Sequence, residues 1–388
     1  MIYNKCRFLS LFTKFILVSV FSFHGLHAQT KKQKLDIDKN IPAEIYKNPD
    51  EVIKKLVKIN GQNNIENDYR IKIYLLFSAA YSAKRDYENS LEYVNKANQL
   101  TKDSKDELLK ISVVSRTGIL YHQLKIYDMA LQYLDLGEQM MTNYPVKDSI
   151  HLLLGKSYLV RGFIYKDKLS CNIAIDFFEK GTEELKRSKS KLALGPISIS
   201  KYNEANCYLI MLKDTLAMQN FKESLHYAKI ANAPSLQAFA LKGMAKIHTY
   251  QQNFNESIST LMKALSLSTN TDDLVLKNEI YSDLSENYLA INNWDKYRFY
   301  NSKYEEINSI LKSNERKSIS QSLTMKEQNL TNNLEKTTQK FYFIYVFIIV
   351  LMGVLTFMFL VSLKKSKEKS QKLKRRIKKL QNVKPNLN

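Results

Sequence analysis

Lys242 and Lys246 are i,i+4 neighbours on one helix face, so their two ammonium groups could reach a single anion such as a carboxylate. An ordinary pair of solvated lysines has the same spacing, and both readings stand at this level. Either way the chemistry is binding rather than catalysis. No glycine-rich phosphate loop, nucleophile elbow or metal-spaced pair of histidines occurs, and the histidines at 24, 27, 122, 151, 226 and 248 are scattered. No catalytic residue, cofactor site or metal site is therefore expected. Of the cysteines, Cys6 lies near the start, while Cys171 and Cys207 show neither disulfide-framework nor metal-ligand spacing. They read as two small core residues, or as a pair that could join in an oxidising compartment.

The elements that must carry these residues repeat along the chain. Six segments share a skeleton of an aromatic or aliphatic residue, a small residue four later, an aromatic three after that, then another aromatic and a small residue. The first has Tyr74, Ser78, Tyr81, Tyr87, Ser90 and Ala97; the second has Val114, Gly118, Tyr121, Tyr127, Ala130 and Gly137. The third has Tyr158, Gly162, Tyr165, Ala174, Phe178 and Gly181, with Cys171 in place of the second aromatic. The fourth is weaker, with Ala205, Tyr208, Ala217 and Phe221, and the fifth has Leu241, Ala245, His248, Phe254, Leu261 and Ala264. The sixth has Tyr281, Ser285, Tyr288 and Trp294, then puts Tyr297 where a small residue belongs. Small residues let two antiparallel helices approach closely, while aromatics fill the gap between one hairpin and the next. A single hairpin cannot bury its apolar stripe, so neighbours must stack. The competing reading is a generic amphipathic helical bundle.

Over about residues 70 to 304 this skeleton resembles the tetratricopeptide (TPR) repeat family, which implies a right-handed superhelix of helical hairpins. The expected fold is all-α: a TPR-like solenoid of about six hairpins, then a helical stalk and one transmembrane helix. The Tyr or His markers at 81, 121, 165, 208, 248 and 288 are 40 to 44 apart, wider than the usual repeat of about 34. The extra residues, such as 105–110 and 272–277, are good helix formers, so longer first helices are expected, with Ser104 and Glu107 as a capping box. Residues 41–66 look like a half-repeat covering the first hairpin. In some peptide-binding TPR proteins, Lys, Asn and Arg on successive first helices clamp a ligand carboxylate. The resemblance places Asn206, Lys242 and Lys246 at positions like part of that clamp, but Leu159 and Phe163 stand where two other clamp residues would be.

Composition agrees with helices and excludes other classes. Apolar residues make up 44% of the 388, with only ten glycines and six prolines, which argues against a turn-rich β protein or a disordered chain. Most of the net charge of +21 sits at the ends: residues 364–388 hold eleven Lys or Arg and one Glu, and Lys5, Arg7 and Lys14 lie near the start. The thin excess left between them does not suit a nucleic-acid groove, and no nucleic-acid partner is expected. Residues 1–28 read as a secretory signal cut after Ala28, and 29–70 as a linker with the capping half-repeat. Residues 71–304 form the solenoid and 305–340 the stalk. In the stalk Ile319, Leu323, Leu330 and Leu334 follow an eleven-residue period that would suit a nearly straight helix pairing with a second copy, or running alone into the membrane. Residues 341–363 carry no charge and give roughly 34 Å of helix, enough to cross a bilayer. The basic tail, 364–388, would stay cytoplasmic, either lying on anionic headgroups through Leu373, Ile377 and Leu380 or simply solvated. The expectation is a single-pass protein of the inner membrane of a Gram-negative bacterium, its repeats in the periplasm. The partner would be a protein or peptide in the concave groove. The whole order also resembles membrane-bound TPR sensors: transcription regulators with AraC-type or LuxR-type helix-turn-helix outputs, and histidine kinases. That resemblance stops where an output domain would begin.

Overall fold

The computed structural model describes residues 41–381, apart from 46–47, 63–64 and 270–272. The expected signal lies outside the described residues, as do the side chains of Ile319, Leu323, Leu330, Leu334 and Leu380. The described residues contain no strand. A short helix α1 (Ile41–Glu44) and helix α2 (Pro49–Asn60) come first. Six first helices follow, α3 (Asn67–Ala83), α5 (Glu107–Gln123), α7 (His151–Lys168), α9 (Leu194–Ile210), α11 (Pro234–Tyr250) and α13 (Leu274–Ala290). They alternate with second helices α4 (Tyr87–Leu100), α6 (Tyr127–Asn143), α8 (Cys171–Arg187), α10 (Asp214–Ile230) and α12 (Phe254–Ser268). Helix α14 (Trp294–Gln381) begins as the sixth second helix. The fold is a TPR-like all-α array of hairpins.

One turn closes almost every hairpin, and the marker residue is its pivot. The carbonyls of Tyr81, Tyr121, Tyr165, Tyr208, His248 and Tyr288 each accept from the backbone N–H five residues on, at 2.8 to 3.1 Å. Four residues past five of these markers stands a residue of positive φ: Arg85, Lys125, Leu212, Gln252 and Asn292. This is the six-to-one bond and left-handed cap that satisfy the last carbonyls of a helix. None of the caps is glycine, so each left-handed residue costs about 1 kcal/mol that the stacked helices must offset. At the other end, side chains cap two of the first helices, α5 and α13. Asp106 accepts from Leu108 N at 2.9 Å and Leu109 N at 3.2 Å, and Asp273 accepts from Leu276 N at 3.0 Å. The expected Ser104–Glu107 box does not form. Ser104 Oγ accepts from Asp106 N and Glu107 pairs with Lys110, because Asp106, two residues nearer the helix, reaches two amides at once.

Within a hairpin the marker stacks on the second helix. Tyr81 and Tyr93 are 5.6 Å apart, Tyr121 and Tyr133 5.4 Å, Tyr165 and Phe177 4.9 Å, and Tyr288 and Tyr300 5.5 Å. Such pairs add about 0.5–1.5 kcal/mol each beyond their burial. Aromatics expected only between hairpins thus also close the hairpins themselves. Between the fourth and fifth hairpins a small residue faces a ring: a Cβ on Gly243 would lie 2.2 Å from Phe221, which is fully buried. Helix α2 packs Val52 and Leu56 against Ile73, Phe77 and Ala80 of α3, covering the first hairpin.

The chain divides into two units at Ser322. In the second unit the stretch Thr337–Lys379 of α14 is long and apolar enough to cross a membrane, and none of its most apolar window is buried.

Candidate functional site

First helices form the inner layer of the repeat unit. Each packs on the first helix of the next hairpin, α3 on α5, α5 on α7, and so on to α13, while no comparable packing joins successive second helices among the described residues. A stack that is closer-spaced on one side curves towards that side. The face of α3, α5, α7, α9, α11 and α13 is therefore the concave one, and its side chains form the candidate site.

The expected anion pair is not assembled as the sequence spacing implied. Lys242 forms an ion pair with Glu279 of α13, and its ammonium lies 5.9 Å from the ring centres of both Tyr202 and Phe239. Burial works against its charge, but Tyr202, Glu279 and Asp283 together hold it above the usual lysine range. Lys246 is exposed and leans on Tyr250, 5.7 Å from the ring centre. Asn206 spends an amide hydrogen on the Tyr202 carbonyl of its own helix, at 2.8 Å. Leu159 and Phe163 are apolar packing: Leu159 is buried against Gly181, and Phe163 stacks 5.6 Å from His122. Beside Lys242, burial pushes the Asp283 carboxyl up to about 6, and its Oδ2 has no hydrogen-bond partner. This end of the face holds its own acids, and Lys242 is already neutralised there.

A different cation is unmatched. Lys156, half-buried on α7, has no hydrogen bond or ion pair among the described residues. Burial pushes its ammonium down to about 8, and the Arg116 charge pushes the same way; no carboxylate is near enough to oppose them. Arg116 of α5 is held from behind, Nε donating to Ser78 Oγ at 2.9 Å and Nη2 to the Ser78 carbonyl at 2.8 Å. Further along the same helices, burial lowers His122 to about 4, against a partly opposing pull from Asp167, and His122 stays a neutral ring on Phe163. Two adjacent cations can bind an acid. Sequence reasoning missed Lys156, yet a signal was present: it is the lone charge in Leu152–Val160.

An open cleft of about 920 Å³ runs along α10 on the second-helix side, lined by Lys186, Lys222, His226, Tyr227 and Ile247 among others. Its charges are mixed, and it lies off the concave face.

No family model matches the chain, and no curated protein sequence matches it. Solved structures do. The Rap conjugation gene regulator of the plasmid pLS20, solved in complex with the Phr* peptide, has a TM-score of 0.53 at 17% identity, over 72% of this chain and 73% of that one. NprR, solved in complex with its cognate peptide NprX, has a TM-score of 0.50 at 15% identity, over 77% and 84%. At such identities the likeness concerns the fold, and it agrees with TPR-like stacked hairpins.

Proposed function

We propose that this chain is a membrane-anchored binding protein whose first-helix face holds an extended peptide or protein segment, an acidic group of which sits between Lys156 and Arg116. Lys156 carries the reading. An ammonium kept half-buried beside a second cation, with no counter-ion of its own, is unfavourable until a carboxylate arrives. That the pLS20 regulator and NprR were both solved with peptides supports the same class of ligand. The anchor rests on residues 341–363, which carry no charge, and on the Lys/Arg block that follows them. With the expected signal, this supports repeats that face away from the cytoplasm.

The sign of the Lys156 effect separates binding from folding. Its ammonium is harder to keep in the fold than in the open chain, so its cost is in full force below pH 8 and fades as pH rises to the ordinary lysine value. At pH 7, Lys156→Met is therefore expected to stabilise the free protein by about 1–3 kcal/mol. The same change should weaken capture of an envelope partner by about tenfold or more, whereas Lys246→Met should leave it within about twofold. Equal capture by wild type and Lys156→Met would remove the proposal. Topology has its own test. Alkaline phosphatase fused after Tyr304 should be active and one fused after Asn388 inactive; the reverse pattern would overturn the placement.

A further inference from the structure

Cys171 and Cys207, far apart in sequence, meet where the first turn of α8 crosses the last turn of α9. Cys171 is the first residue of α8, just after Ser170, whose hydroxyl caps the helix. Cys207 lies three residues before the end of α9. The two helices are consecutive and pack on each other, so the start of one meets the end of the other. Both cysteines belong to one apolar cluster with Leu159, Phe178 and Ile197. Cys207 is fully buried, whereas Cys171 at the edge is reachable from solvent, and both are free thiols. In that cluster they are neighbours: burial, and then the adjacent Cys171 thiol, push Cys207 up to about 12.

We infer that Cys171 and Cys207 are a dithiol that closes to a disulfide by exchange with an external disulfide, Cys171 attacking first and Cys207 resolving. The inference is independent of which ligand the concave face takes. Cys171 as thiolate attacks one sulfur of R–S–S–R. The external S–S bond breaks, one R–S⁻ leaves and takes up a proton, and Cys171 carries the other R–S group. Cys207 then gives its proton to solvent and attacks the Cys171 sulfur, displacing the second R–S⁻. Two protein thiols are oxidised and one external disulfide is reduced to two thiols. The exposed partner suits the first step, because the incoming disulfide must reach it; the buried one takes the second because its target lies in the same cluster, and that proximity offsets its raised pKa. The bond pins α8 to α9, the helix that carries Tyr202 and Asn206 on the concave face, and so stiffens that wall.

The test uses the full chain in mild detergent, equilibrated with oxidised and reduced glutathione, quenched with acid and N-ethylmaleimide, and mapped by peptide mass, which keeps Cys6 separate. A linked Cys171–Cys207 peptide is expected under oxidising ratios. Tm should rise by about 5–10 °C and fall back on reduction. Cys207→Ala should hold Cys171 as an unresolved glutathione adduct. Recovery of both cysteines as maleimide adducts in excess oxidised glutathione would overturn the inference. So would accumulation of the mixed disulfide in the wild-type chain.

Discussion

Leucine at position 243 is expected to destabilise the repeat unit by on the order of 4 kcal/mol, and alanine there by about 1–2 kcal/mol. On helix propensity alone, alanine should instead stabilise by about 1 kcal/mol, since a mid-helix glycine is unfavourable. The reversal comes from Phe221. A Cβ on Gly243 would stand 2.2 Å from its Cε1 and 2.5 Å from its Cδ1 and Cζ. The ring cannot swing aside, because it is fully buried and packs against Tyr202, 5.6 Å away on α9. Helix α11 would have to lift from α10, a joint that together with the packing of α9 on α11 holds the fourth hairpin to the fifth. In a stack stabilised by neighbour contacts, losing one interface should split a single unfolding step into two. Phe221→Ala alone should cost about 3–5 kcal/mol through the cavity it leaves. Combined with Gly243→Leu it should cost well under the sum, since the new side chain enters that cavity. Strictly additive losses in denaturant melts of the three variants would show that the contact does not set the joint.

The array of hairpins was legible because its marker does two jobs that constrain residue type. It supplies the carbonyl that ends all six first helices and in four hairpins stacks on a ring of the second helix. All six first helices begin fourteen residues before their marker, from Asn67 before Tyr81 to Leu274 before Tyr288. The extra residues noted in the sequence are therefore partly the opening turn of each first helix. They also fill the connections, as in the 3-10 turns Lys147–Ser149 and Lys191–Ala193. The partner ring twelve residues beyond the marker was equally readable, at Tyr93, Tyr133, Phe177 and Tyr300. The pattern is broken in the fourth and fifth hairpins, where Asn220 and Thr260 occupy that place. The site was less legible for a physical reason. Spacing along one helix puts Lys242 and Lys246 on a common face, but it says nothing of Glu279, which reaches across from the next hairpin. Whether a cation is free depends on such contacts, and they connect positions about 40 residues apart.

The joint that places Lys156 should itself be the more sensitive to how it is broken. Five residues further along α7, Arg161 is nearly buried, with Nε donating to Glu138 at 2.7 Å and Nη2 pairing with Asp135, both on α6. Ser157 Oγ donates to the same Glu138 oxygen at 2.8 Å. Burial opposes the guanidinium's charge, but the two carboxylates together hold it above the usual arginine range. Glu138→Ala strips the better-shielded carboxylate from a desolvated cation and should cost about 3 kcal/mol. Asp135, with 69% of its side chain exposed, should cost under about 1 kcal/mol when replaced by alanine, because water screens what it contributes. Arg161→Met should fall between, since it leaves Glu138 with Ser157 and partial access to solvent. The double change Arg161→Met with Glu138→Leu should return to within about 1 kcal/mol of wild type, because an apolar pair of similar volume needs no desolvation. Denaturant melts of the four variants decide it. If Arg161 and Glu138 are coupled as the geometry requires, the double variant is more stable than Glu138→Ala alone; if it is less stable, packing rather than charge holds α6 to α7.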